Sequence, residues 1–109
     1  MSLDVDDLAS KMFGAAFPIV KQTAPQIANY VAAECKKFAL TIAAIETERE
    51  SGDLDQEEAA ILIGMQRTSM STVLTAAQGL SALMAQTAIN AAIGAVRDLV
   101  NGVFGFALL

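Results

Sequence analysis

The chain has 109 residues, of which 54% are apolar and 17% charged, and its formal net charge is −5. This length suits one domain, and the composition is too apolar for a disordered chain. The chain has no histidine and one cysteine, which excludes imidazole acid–base catalysis, an intramolecular disulfide and cysteine-based zinc sites. The acidic balance argues against a nucleic-acid partner, because the phosphates would be repelled.

Residues 1–7 contain three aspartates and no basic side chain. A secretory signal starts with basic residues and continues with an apolar run, so no signal peptide is predicted. We therefore expect a cytoplasmic protein with a reduced Cys35, and export by a machinery that reads no N-terminal signal remains an alternative. The aspartates suit the positive end of a helix, for which Asp4 or Ser2 is the expected cap.

The charged residues are unevenly distributed along the chain. Residues 1–58 hold 16 of the 19 charged side chains, and only Arg67, Arg97 and Asp98 follow them. No internal repeat or low-complexity linker separates the two parts, so residues 1–109 are predicted to form a single domain with a gradient of polarity.

The first part of the chain is predicted to be a helical arm over residues 3–50 with a break within 17–25. Pro18 disfavours helix at the residue before it, and Pro25 suits the first turn of a helix. Apolar residues then recur every three or four positions, which is typical of a helix. They form the stripe Ile27, Val31, Cys35, Phe38, Ile42 and Ile45.

A short turn is predicted over residues 51–54. Gly52 is a suitable left-handed cap for the helix before it. Asp55 and Glu58 have the spacing of a capping box, in which the first residue of the pair caps the next helix. The second helical arm is therefore predicted to begin at residue 55.

The second arm shows no clear stop before Gly102 and is predicted over residues 55–104, with an apolar tail over 105–109. Gly79 weakens the helix and is a candidate bend. Met65, Met70 and Met84 are expected to fill the core.

Two straight arms of this length would each reach about 70 Å, which is too long for a compact domain of this size. Their apolar faces are also wider than one partner helix covers. The sequence therefore predicts an all-α, long antiparallel helical hairpin, with its N-terminal arm kinked near Pro18–Pro25, that associates into a multi-chain helical bundle. The candidate oligomer-interface residues are Val73, Leu80, Met84, Ala88, Ile89, Ala92, Ile93, Val96, Val100 and Phe104.

A compact alternative remains open at this point. Breaks near Pro18–Pro25 and near Gly79 would fold the same chain into a monomeric four-helix bundle.

The C-terminal tail is apolar to the last residue, whereas free ends are usually polar and frayed. Phe106, Leu108 and Leu109 are therefore predicted to dock, against the protein's own bundle or against another protein.

Acidic residues crowd the turn between the arms, and oxygen ligands of this kind suit Ca²⁺ or Mg²⁺. The loop lacks the glycine and the distant glutamate of an EF-hand, and helix capping explains the same residues, so no metal site is predicted. The residues concerned are Glu46, Glu48, Glu50, Asp53, Asp55, Glu57 and Glu58.

These patterns favour a non-enzymatic structural or interaction protein that acts as a homo-oligomer, with no cofactor and no catalytic residue. Its expected partner is another copy of itself. The alternative is a membrane-active helical protein, holin-like or a pore-forming subunit, because residues 59–109 are poor in charge. Polar side chains along one side of that segment favour an amphipathic helix of a soluble protein instead.

Overall fold

Four α-helices build the fold, and their limits follow the caps and breaks of the sequence. A computed structural model of the protein describes residues 3–77 and 79–109. The helices are α1 (Val5–Val20), α2 (Ala28–Glu50), α3 (Gln56–Ala76) and α4 (Ala82–Phe104), and a 3-10 turn, Pro25–Ile27, precedes α2. The described residues contain no strand, so the predicted all-α class is confirmed.

Two predicted helix caps are present. The side chain of Asp4 caps α1 by accepting a hydrogen bond from the Asp7 backbone N–H at 3.1 Å. At the start of α3, the Glu58 N–H donates to Asp55 Oδ1 at 2.8 Å, and the Asp55 N–H donates to Glu58 Oε1 at 3.1 Å. Each such cap typically stabilises a helix by about 1 kcal/mol. Local hydrogen bonds therefore determine where α1 and α3 begin.

The predicted break within residues 17–25 is confirmed. Helix α1 runs through Pro18 and ends at Val20, and the chain turns before Pro25 opens the 3-10 turn. The turn is held by the backbone, because the N–H of Ala24 donates to the Val20 carbonyl at 2.9 Å.

The prediction of one helical arm over residues 55–104 is wrong, because α3 ends at Ala76 and α4 begins at Ala82. Gly79 adopts a φ of +87°, a left-handed conformation that costs glycine little and other residues more. Ser81 then caps α4 by accepting a hydrogen bond from the Met84 N–H at 3.1 Å. Apolar residues keep their helical spacing across this turn, which is why the spacing did not reveal it.

The four helices form an up-and-down bundle. Helices α1 and α3 each pack on both α2 and α4. Hydrogen bonds show that α1 and α2, and α2 and α3, are antiparallel: the Leu3 N–H donates to Glu46 Oε1 at 2.9 Å, and the Thr41 hydroxyl donates to Gln66 Oε1 at 3.2 Å. Short connections between antiparallel helices are typical of this architecture.

The predicted elongated hairpin is also wrong. The molecule measures 43 × 22 × 19 Å, whereas a straight arm would reach about 70 Å. Its radius of gyration of 13.8 Å matches that of a compact domain. The compact alternative, with breaks near Pro18–Pro25 and Gly79, is the fold, so the two arms cover each other's apolar faces within one chain.

One continuous core runs through the bundle. All six residues of the apolar stripe predicted for residues 27–45 are buried, which confirms that prediction. Helix α3 has the smallest buried fraction of the four helices, with four of 21 residues buried against four of 16 in α1. The buried residues of α3 are Ala59, Ile63, Met70 and Leu74. Within the described ranges, none of the helices has the length and hydropathy needed to cross a membrane.

Candidate functional site

Most of the predicted oligomer-interface residues lie inside the folded chain. Seven of the ten are buried: Leu80, Ala88, Ile89, Ala92, Ile93, Val96 and Val100. The other three, Val73, Met84 and Phe104, are half-buried. A fully buried side chain offers no surface to a second molecule, so the expectation that these seven contact another copy is corrected. They face the core because the turn at Gly79 folds α4 back onto α1.

The three predicted docking residues of the tail lie against the protein's own helices. Leu108 is buried and belongs to the core. The ring of Phe106 packs edge-to-face on Phe104, with 6.0 Å between centroids. The N–H of Leu109 donates to Asn101 Oδ1 at 2.9 Å. The tail thus completes one end of the bundle.

The most exposed apolar surface of α3 is an unpredicted feature. We define the α3 outer face as Ile61, Gly64, Met65, Thr68 and Thr72, all of which are exposed. Ile61 is 58% exposed and Met65 is 64% exposed, so the assignment of Met65 to the core is wrong. None of the five side chains is charged. Ile61, Met65, Thr68 and Thr72 are spaced four, three and four residues apart, which aligns them along one line of the helix.

The threonine hydroxyls of this face already have hydrogen-bond partners within α3. The hydroxyl of Thr68 donates to the Gly64 carbonyl at 3.0 Å, and that of Thr72 donates to the Thr68 carbonyl at 3.0 Å. Because the donors are satisfied within the helix, covering them by another protein surface leaves no donor unpaired. An open apolar cleft of about 590 Å³ adjoins the face, with Tyr30 at its rim and Val73 and Ala76 in its wall.

One end of the bundle is strongly acidic. This end, which we call the acidic end, contains the N-terminal ends of α1 and α3 and the C-terminal ends of α2 and α4. Eleven of the twelve acidic residues lie in or near these four helix ends, and Glu34 is the exception. Lys21 lies just after the opposite end of α1, whereas Arg49 and Arg97 lie among the carboxylates of the acidic end.

A cleft of about 630 Å³ opens between α2 and α4 at the acidic end. We call it the α2–α4 cleft, and its lining is Glu46, Arg49, Glu50, Asp98, Leu99, Gly102, Val103 and Phe104. Glu46 is only 8% exposed, and one of its oxygens accepts the hydrogen bond from Leu3. The other oxygen, Oε2, is buried and has no hydrogen-bond partner within residues 3–77 and 79–109.

Arg49 borders this cleft, but its guanidinium is engaged elsewhere. It lies 4.8 Å from the ring centroid of Phe106, and Nη1 donates to the Leu54 carbonyl at 3.2 Å. Among the described residues, the ion pairs are Lys11–Asp7 and Lys37–Glu34, and neither involves the cleft.

Cys35 is a buried, poorly reactive thiol. Burial and the nearby charge of Glu34 raise its pKa from 9.0 to about 12, so it stays protonated near neutral pH. Because the thiolate is the nucleophile, Cys35 is not suited to catalysis. Glu34 is itself buried, and its Oε2 lies 3.1 Å from Nζ of Lys37.

In the described part of the chain, His, Cys, Asp and Glu side chains form no group of three that could hold a metal ion. Comparison with known proteins gives no family: no family model, no curated protein and no solved structure matches the chain. The α3 outer face and the α2–α4 cleft are the two surfaces of the bundle with distinct chemistry.

Proposed function

We propose that this protein is a non-enzymatic interaction protein that works as a homo-oligomer, and that copies of the chain meet through the α3 outer face. The exposure of Ile61 and Met65 on an uncharged helix surface carries this proposal. The core is complete within one chain, so the association would join folded monomers.

The charge distribution supports a second copy as the partner. The chain has a net charge of −5, so two copies repel each other at most orientations. The α3 outer face bears no charge and is therefore a surface on which two copies can approach without opposing carboxylates.

The order of side-chain sizes along the face also supports self-association. The large residues Ile61 and Met65 precede the smaller Thr68 and Thr72 along the helix. A two-fold axis that pairs α3 with an antiparallel copy sets each large residue opposite a small one. Such a surface is complementary to itself, as a symmetric dimer requires. Gly64 adds room, because a Cβ built there meets no atom within 4 Å.

Sedimentation equilibrium of the full chain tests the proposal. We expect a concentration-dependent dimer or larger oligomer for the native sequence, and a monomer for Met65→Glu, which places a charge at the centre of the face. Leu40→Glu is the matched control, because Leu40 is 49% exposed on α2 and lies outside the face. A native chain that stays monomeric up to submillimolar concentration, or equal effects of the two variants, would overturn the proposal.

A further inference from the structure

We infer that the α2–α4 cleft binds an aliphatic polyamine. The cleft joins two kinds of surface. Glu46, Glu50 and Asp98 supply three carboxylates, and Leu99, Val103 and Phe104 of α4 supply an apolar part of the lining. A ligand that matches both has cationic groups separated by methylene segments.

The carboxylates of the cleft form no ion pair among the described residues, although Arg49 belongs to the lining. Among the described residues, the buried Oε2 of Glu46 has no hydrogen-bond partner, and a buried carboxylate is costly unless it is paired. Arg49, the basic residue of the lining, directs its guanidinium to Phe106 and to the Leu54 carbonyl. No ion pair within the described residues neutralises Glu46, Glu50 or Asp98.

The helix directions add to the negative potential of the cleft. Both α2 and α4 end here, and the C-terminal end of a helix carries partial negative charge. The last turn of α4 contains no basic residue to offset it, whereas the last turn of α2 contains Arg49. The surrounding acidic end extends the same field outward, which raises the rate at which cations arrive.

The arrangement of the carboxylates favours an elongated organic cation over a metal ion. These side chains do not form a group that could hold a metal, within the residues that the structure describes. Ammonium groups spaced along a chain can reach separate carboxylates, and the methylenes between them can cover the apolar wall formed by Leu99, Val103 and Phe104.

Calorimetric titration of the full-length protein with spermidine tests the inference. We expect saturable 1:1 binding that weakens as salt is added. Replacing Glu46 by Gln keeps the shape and an acceptor for the Leu3 N–H but removes the charge, and should weaken binding about tenfold. Glu48→Gln is the matched control, because it removes the same charge from the exposed side of α2, outside the cleft lining.

Three results would overturn the inference: no saturable binding, equal weakening by Glu46→Gln and Glu48→Gln, or displacement of spermidine by equimolar Mg²⁺. The first two would show only general attraction to the acidic end, and the third would show a metal site. Asp98→Asn provides a second variant in the opposite wall, which decides the question if Glu46→Gln does not fold. We expect it to weaken binding more than Glu48→Gln does.

Discussion

The guanidinium carbon of Arg49 lies 4.8 Å from the ring centroid of Phe106, and Nη1 of the same side chain donates to the carbonyl of Leu54. One side chain of α2 thus holds two segments that have no helix of their own: the loop before α3 and the tail after α4. The acidic end of the bundle is closed by this contact and by the burial of Leu108.

Replacement of Arg49 by Met should lower the free energy of unfolding by about 1 kcal/mol, since it removes a cation–π contact and a hydrogen bond but keeps most of the apolar stem. Urea unfolding followed by circular dichroism measures this value. Arg97→Met is the control, because Arg97 is exposed on α4 and forms no ion pair in the described structure. Equal stability of the two variants would show that the Arg49 contacts do not hold the tail.

Leu108→Ala should lower the free energy of unfolding by about 2–3 kcal/mol, because it empties a buried position at the end of the core. The same substitution at Leu83, which is 77% exposed at the start of α4, should change it by less than about 0.5 kcal/mol. Denaturant midpoints of the two variants provide the comparison. A Leu108 variant as stable as the Leu83 variant would mean that the tail is not docked in solution.

Gly79→Ala should destabilise the fold by about 1 kcal/mol, because the left-handed conformation is unfavourable for a residue with a Cβ. The space itself is no obstacle, because a Cβ at this position would lie 3.5 Å from Nε2 of Gln26, an ordinary van der Waals contact. Gly14→Ala makes the matched change inside α1, where a Cβ meets nothing within 4 Å, and should stabilise by about 0.5–1 kcal/mol. Thermal unfolding of both variants measures whether each substitution raises or lowers the stability of the protein. Stabilisation by Gly79→Ala would contradict the left-handed conformation of Gly79.

Cys35 should react with a thiol reagent only after unfolding, because its side chain is buried and its pKa is raised to about 12. The same shift makes stability depend on pH. Between pH 9 and about 12 the unfolded thiol loses its proton and the folded thiol keeps it, so the free energy of unfolding should fall as the pH rises through this interval. Cys35→Ala should remove this part of the pH dependence. Rapid labelling of the native protein near neutral pH would contradict the assignment.

The features predicted correctly from the sequence are those that local chemistry controls. The capping box of Asp55 and Glu58 needs only residues three apart, and the break near Pro25 follows from the geometry of proline. The second break depends on Gly79, and a glycine in an apolar pattern is compatible with both a helix and a turn. If Gly79 lies within a helix, residues 55–104 form one long rod. With a turn at Gly79, the same residues form two packed helices, α3 and α4.

The two candidate surfaces depend on tertiary packing, which no local pattern describes. Met65 has the same spacing to its neighbours as a core residue, and its exposure follows from which side of α3 meets α2 and α4. Glu46 belongs to an acidic cluster that the sequence places at a solvated turn. It is buried because the start of α1 packs on the end of α2, so that the N–H of Leu3 reaches its carboxylate.

The packing of α1 on α4 joins the first helix of the chain to the last. Because α1 packs on both α2 and α4, the core around Leu8, Met12 and Val20 is complete only when α4 is in place. The bundle therefore completes its core only after α4 has been made, and nascent chains that stop before it should be recognised as unfinished.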